Sequence, residues 1–435
     1  MDKYFLPHIF IAISVACIQG FVLGQILFFG RFIPVIQTGH FTSGNLSISW
    51  EEIGAFQYGI FIGCGPFIYL LMYLMPKVPY MRLILLTIGF SLWTAGQWSL
   101  NGTLDRFYYM QISLSLIPVG GAFLYWVSWV YILDEKVMKT LYGMLLFCVV
   151  CSPFLYLIVM GSVTLNSSSS SPIAIANTVV ILFLICYIVL HEIKFYEKQD
   201  VDYTIKLDMG DKKKFYLRCI CLFLFWSSVL LFQFLFLMPY VYLFEFMEMD
   251  EETPGEISYN LLLMSAFSLL GIFIGAVTCW IEEFRKIGHM ITSMALVVIY
   301  VMLYQNPNGM YQMFSIVFGV FSGWNIAIIF ASAGRYMHPI ITMMLISVAF
   351  IPSPFSLDDL FYRKCVDVES QLCFLMYLEV FASVHFFVTW IYCIIDFLVL
   401  PQGEAYFPGY KERSVPSCIT KWRNMKSDAR VQSND

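Results

Sequence analysis

Charge is the scarcest commodity in this sequence. Only 13% of its 435 residues are Asp, Glu, Lys or Arg, against 59% hydrophobic, and mean hydropathy is +0.74. A water-soluble domain needs far more polar surface than that, so a soluble globular enzyme is excluded. Runs that alternate apolar and polar residues over ~10 positions are also missing, which excludes a transmembrane β-barrel. There is no phosphate-cradling loop of the Gly-x-x-x-x-Gly-Lys-Ser/Thr type, no Gly-x-Ser-x-Gly and no His-Glu-x-x-His, so ATP-driven transport and hydrolytic catalysis have no support. The 6 His and 12 Cys form no cluster with metal-ligand spacing, and neither a metal nor any other cofactor is expected. No basic region and no small-residue cleavage site precede the first apolar run, which therefore reads as a span and not as a leader peptide.

What is abundant is long apolar stretches rich in aromatics, with 41 Phe and 27 Tyr. A helix needs about 20 apolar residues to cross a ~30 Å hydrocarbon layer, and only helices satisfy the backbone of such unpatterned runs in lipid. Spans are expected at 8–33, 53–75, 81–100, 108–132, 140–163, 173–191, 216–242, 258–280, 288–304, 311–333, 336–354 and 371–399. The fold class is thus all-α and membrane-embedded, with twelve transmembrane helices. The bilayer is the obligatory partner, and nothing points to nucleic acid.

Two signals orient the chain. With a cytosolic N-terminus, all 25 Lys and Arg except Arg31, Arg106, Arg363 and Lys364 fall on the cytosolic side, as the positive-inside rule requires. The glycosylation sequons at Asn45, Asn101 and Asn166 then all lie in loops on the opposite side. Both termini are expected in the cytosol. Cys365 and Cys373, near the last outer loop, are either a disulfide or two free thiols.

The polar interval 192–215 splits six spans from six. The halves are 1–191 and 216–400, and 401–435 reads as a disordered cytosolic tail. Gly-Ile-Phe-Ile-Gly occurs at 59–63 in the second span and again at 271–275 in the eighth. The fourth and tenth spans match more loosely, through Gly120, Gly121, Tyr125 and Trp126 beside Gly319, Gly323 and Trp324. Two tandem six-helix halves with a site between them form a transporter architecture.

In this order of features the sequence resembles the major facilitator superfamily over most of its length. A trace of that family's signature after its second and eighth helices survives in Glu282-Glu-Phe-Arg-Lys-Ile-Gly288, whereas Met75 to Arg82 lacks the acid and the glycine. Within the superfamily the chain is most similar to the lysosomal ceroid-lipofuscinosis branch. Asp105-Arg-Phe-Tyr-Tyr-Met-Gln, Met238-Pro239 before an acidic loop, and Ser258-Tyr-Asn-Leu-Leu-Leu-Met-Ser-Ala carry that similarity. The resemblance implies secondary transport of a small solute, a small molecule or ion, by alternating access, in an endolysosomal or the plasma membrane. It also implies a cavity lined by the first, fourth, seventh and tenth helices. Substrate contacts are then expected from Gln19, Gln25, Tyr125, Trp126, Trp129, Gln233, Tyr240, Trp324 and Asn325. The arginine that many proton-coupled members carry in the fourth helix is absent around Leu114, which speaks against familiar proton coupling. The alternatives are a receptor-like or interaction protein on a degenerate transporter fold, and an anion-permeable, channel-like member.

Ionisable side chains within a span are costly and need a reason. The twelfth span carries Glu379 and His385, the two candidates for a coupling role. Six positions separate them, about 240° round a helix, so they do not share a face. Asp396 is expected at the cytosolic interface.

Overall fold

The computed structural model describes residues 10–11, 13–26, 50–74, 80–102, 107–133, 153–155, 158, 171–195, 212–241, 254–278, 282–305, 310–336, 339–350 and 370–399. Nearly all of them are helical. The long elements are α1 (Ile13–Ile26), α2 (Trp50–Leu74), α3 (Met81–Gly102), α4 (Phe107–Leu133) and α5 (Ser171–Phe195) in the first part of the chain. In the second part they are α6 (Lys212–Val241), α7 (Pro254–Thr278), α8 (Glu282–Gln305), α9 (Tyr311–Tyr336), α10 (Pro339–Phe350) and α11 (Ser370–Val399). The elements α1 to α4 coincide with the first four expected spans, α5 with the sixth, α6 to α10 with the seventh to eleventh, and α11 with the twelfth. The fifth expected span lies outside the described residues apart from 153–155 and 158.

Five helices of α6 to α11 are long and apolar enough to cross a bilayer: Cys219–Phe236, Tyr259–Thr278, Phe284–Gln305, Tyr311–Ser332 and Leu372–Phe397. Across both parts of the chain, large apolar side chains face outward as readily as inward. Phe183, Phe67 and Phe223 are 74%, 68% and 63% exposed, while Gln19, Gln57, Asn325 and His385 are sealed inside. A protein in water reverses that distribution. Hydrocarbon around the bundle accounts for it, because lipid tails are as apolar as the side chains that meet them.

Within the first half α4 packs on α2 and α3, and α5 packs on α3. Within the second half α9 packs on α7 and α8, and α11 on α6 and α8. Close approach explains two glycines. A Cβ on Gly120 would collide with the backbone nitrogen of Trp93 in α3, and one on Gly271 with the carbonyl oxygen of Val320 in α9. The repeated motif is therefore used unequally: Gly271 and Gly275 are wedged against α9, whereas a Cβ on Gly63 would meet nothing within 4 Å. The matched tryptophans are used alike. Trp126 Nε1 donates to the Phe61 carbonyl of α2 at 3.1 Å, and Trp324 Nε1 donates to Thr278 Oγ1 of α7 at 3.0 Å. Each ties the fourth helix of its half to the motif-bearing helix.

The halves meet where α10 packs against α2, and where α2 and α6 touch. Trp226 of α6 holds α10 in place by donating from Nε1 to the Leu345 carbonyl at 2.8 Å.

A candidate solute cavity between the two halves

A cavity of about 50 Å³ lies between the halves. Its wall comprises Leu23 of α1, Tyr58, Phe61 and Ile62 of α2, Tyr125, Trp126 and Trp129 of α4, Pro153 and Phe154, Gln233 and Phe236 of α6, and Ile326 and Phe330 of α9. These are stretches of the first, second, fourth, fifth, seventh and tenth expected spans. The wall is mostly aromatic and, among the described residues, carries no charged side chain. Phe61 and Tyr125 face each other with ring centroids 5.2 Å apart, and the Tyr125 ring meets that of Trp126 edge-on at 4.9 Å. Such offset and edge-to-face pairs add to the burial that holds the wall.

Two contacts bridge the halves at different depths. The Tyr58 hydroxyl donates to Gln233 Oε1 at 3.2 Å, joining α2 to α6. Trp129 of α4 stacks on Phe330 of α9, with centroids 4.7 Å apart and planes 16° from parallel. Tyr58 lies three residues from Phe61 toward the start of α2. Trp129 lies three residues from Trp126 toward the end of α4. Gln57 and Tyr69 of α2 bond to the Leu114 and Trp126 carbonyls of α4, so the two helices run in the same direction and the bridges lie at different depths. The cavity sits between a polar bridge toward the Trp50 end of α2 and an aromatic bridge toward the Leu133 end of α4.

Four of the nine substrate-contact residues expected from the sequence, Tyr125, Trp126, Trp129 and Gln233, line this cavity. The others do not. Gln19 donates to Ser128 Oγ at 3.0 Å and fastens α1 to α4. Gln25 accepts from Asn177 Nδ2 at 2.9 Å and fastens α1 to α5. Trp324 is turned toward α7, and Asn325 accepts from Thr292 Oγ1 of α8 at 3.2 Å. Each of these four, offered to a solute by the resemblance, makes an interhelical contact in this structure. The side chain of Tyr240 lies outside the described residues. Sequence reading passed over Tyr58, Phe61, Phe236 and Phe330. A phenylalanine in an apolar run carries no signal of its own, and only the Gly-Ile-Phe-Ile-Gly motif around Phe61 marked that helix.

The coupling candidates lie elsewhere. Glu379 is half-buried on α11 and does not line the cavity. His385 is fully buried inside the second half, with its ring centroid 6.4 Å from that of His289 in α8 and 6.0 Å from that of Phe232 in α6. Its Nδ1 is 3.4 Å from Thr389 Oγ1, which in turn shares a 2.7 Å hydrogen bond with Ser228 of α6. His289 was not among the expected site residues. The Nε2 atoms of both histidines are buried without a hydrogen-bond partner among the described residues. Asp396, expected at the cytosolic interface, is buried within the bundle at 1% exposure and paired with Lys286 Nζ at 2.8 Å. Burial suits Asp396 because the start of α8 brings its counter-charge to the end of α11.

Asn45, Asn166 and Cys365 lie outside the described residues. Asn101 falls in the last turn of α3, and Cys373 is disulfide-bonded. The described residues hold no group of three or more His, Cys, Asp or Glu placed for a metal ion.

No family model matches the chain, and no curated protein does either. Solved structures do. A mutant of the nucleoside transporter NupG matches at 11% identity and a TM-score of 0.62, covering 89% of this chain and 99% of its own. An auto-inhibited POT family peptide transporter gives 11% and 0.62 over 94% of this chain and 100% of its own. The human organic anion transporter MFSD10 gives 9% and 0.63 over 89% and 100%. The fold is that of the major facilitator transporters. It is an all-α membrane fold of two pseudo-symmetric six-helix halves, and the cavity described above lies between those halves.

Proposed function

We propose that this chain is a secondary transporter that moves a small solute by alternating access between its halves. One observation carries the reading: a cavity walled by both halves and flanked by two contacts between them, Tyr58 with Gln233 and Trp129 with Phe330. Rocking the halves one way parts the first contact and rocking them the other way parts the second. The distribution of basic residues supports assigning the Tyr58 end to the outer side and the Trp129 end to the cytosol, with both termini cytosolic. The halves are bounded at 1–191 and 216–400, joined by the 192–215 linker. Glycosylation at Asn45, Asn101 and Asn166, and a Cys365–Cys373 disulfide, belong to the same topology.

At about 50 Å³ the cavity is smaller than the ~300 Å³ at which solute sites begin. The Tyr58–Gln233 and Trp129–Phe330 contacts hold the halves together beside it. The small cavity also favours a second reading, a receptor-like or interaction protein that keeps the fold without the flux. A wall that is uncharged among the described residues favours a neutral solute over an anion-permeable member. Coupling candidates are Glu379 and His385, the latter now with His289. The similarity to the ceroid-lipofuscinosis branch supports an endolysosomal membrane, with the plasma membrane the alternative.

Cross-linking paired with flux tests the proposal. Trp129→Cys with Phe330→Cys, in a background without other reactive cysteines, is oxidised in proteoliposomes. Saturable uptake from a solute panel should fall on oxidation and return on reduction. A well-folded parent chain that moves no solute sinks the transporter reading in favour of the receptor-like one; the parent is the reference because the paired variant also removes two rings of the wall.

A further inference from the structure

The wall of the cavity also limits what it takes. We propose that its solute is an uncharged, flat aromatic molecule whose ring enters between Trp129 and Phe330 and replaces their mutual stack; this rests on the transporter reading above. Trp129 and Phe330 come from opposite halves, and their rings lie 16° from parallel. They form a slot for a third ring, since π-faces stack on any planar partner. Aromatic carbons pack at about 3.5 Å, so a sandwiched ring needs about 7 Å between the outer two. The two rings, now in stacking contact, must part by one more ring thickness, about 3.5 Å. A modest parting of the halves at that end supplies it. The solute then binds the parted state better than the closed one, which is the condition for a ligand to shift a conformational equilibrium.

The same wall, which carries no charged side chain among the described residues, disfavours an ion. A buried ion without a counter-charge loses its hydration and gains little in return. A cation gains some attraction from the ring faces, but that attraction is small beside the loss of hydration. The polar groups that remain are neutral. Trp126 Nε1 is spent on the Phe61 carbonyl, and the Tyr58 hydroxyl on Gln233 Oε1. The amide nitrogen of Gln233 has no partner among the described residues and supplies a donor for a carbonyl or amide oxygen on the solute.

Three probes with one ring system separate these requirements: indole-3-acetamide is neutral, tryptamine is a cation and indole-3-acetate is an anion at neutral pH. Binding to the full-length chain is read as thermal stabilisation, and uptake as saturable flux above protein-free liposomes. The acetamide is expected to bind at least about tenfold more tightly than either ion, the scale of a buried charge left unpaired. Phe330→Leu should weaken it by about tenfold, whereas Phe330→Tyr, which keeps the ring, should retain it. Equal binding to Phe330→Leu, tighter binding of either ion, or no binding of any probe overturns the proposed class. Uptake of an ion but not the acetamide also overturns it while leaving transport intact. Saturable acetamide binding lost in Phe330→Leu without flux upholds the site and overturns the transporter reading instead.

Discussion

Replacing Tyr58 by Phe removes one hydroxyl and leaves the rest of the cavity wall in place. In the present structure that hydroxyl donates to Gln233 Oε1 across the halves, and both side chains are nearly sealed, at 2% and 4% exposure. A neutral intramolecular hydrogen bond contributes about 1 kcal/mol net. Side-chain bonds between membrane helices average about 0.6 kcal/mol. If the bond exists only while the Tyr58 end is closed, its loss shifts the closed-to-open ratio about threefold to fivefold, because 1.4 kcal/mol corresponds to a factor of about ten. Water in the adjoining cavity can take over the stranded Gln233 oxygen, which places the expectation toward threefold. Distance distributions between labels at the Trp50 end of α2 and the Val241 end of α6, in nanodiscs, report the ratio directly. Gln233→Leu should give a similar shift. The double variant should shift no further than either single change, since both delete the same bond. Unchanged distributions in Tyr58→Phe, or additive shifts in the double variant, would refute the idea that this contact is a closure and reduce it to local packing.

Other outcomes follow from packing and charge. Gly271→Ala should lower thermal stability by about 1–3 kcal/mol, the usual cost of overpacking, because its Cβ would collide with the Val320 carbonyl. Gly63→Ala, in the same sequence motif but with open space around it, should stay within about 0.5 kcal/mol of the parent in the same melt. Lys286→Met removes the counter-charge 2.8 Å from the buried Asp396 carboxylate and should cost up to about 3–5 kcal/mol. Adding Asp396→Leu should recover most of that loss in a denaturation series, and failure to recover would show that the pair is not the source. Asn101→Gln should remove one N-glycan, seen as a mobility shift that glycosidase treatment of the parent reproduces. No shift, with the other two sequons behaving likewise, would contradict the proposed orientation.

The halves of the candidate site differ in how legible they were. Trp129 and Gln233 stood out in the sequence because a tryptophan or an amide within an apolar run needs an explanation. Gln19, Gln25 and Asn325 stood out for the same reason, yet their side chains bond to neighbouring helices. A polar group in lipid must find a partner, and composition does not say whether that partner is a helix or a solute. Phe330 and Phe61 were silent, because among 41 phenylalanines the ones that face a cavity look like those that face lipid.

By itself the sequence determined the solvent and the class of structure. Residues that are 59% hydrophobic and 13% charged, arranged in runs longer than a bilayer is thick, leave only a bundle of spanning helices, and the motif repeated at 59–63 and 271–275 marks two halves. These are properties of composition and spacing, and they survive without any knowledge of which helix touches which. Only the tertiary structure decided the pairings. It set Trp129 against Phe330 and Tyr58 against Gln233, sealed Asp396 beside Lys286, brought His289 to His385, and left Glu379 outside the cavity. Each pairing joins residues more than a hundred positions apart or on different helices. The rotation of one helix about its own axis settles them, and a run of apolar residues with no polar face does not encode that rotation.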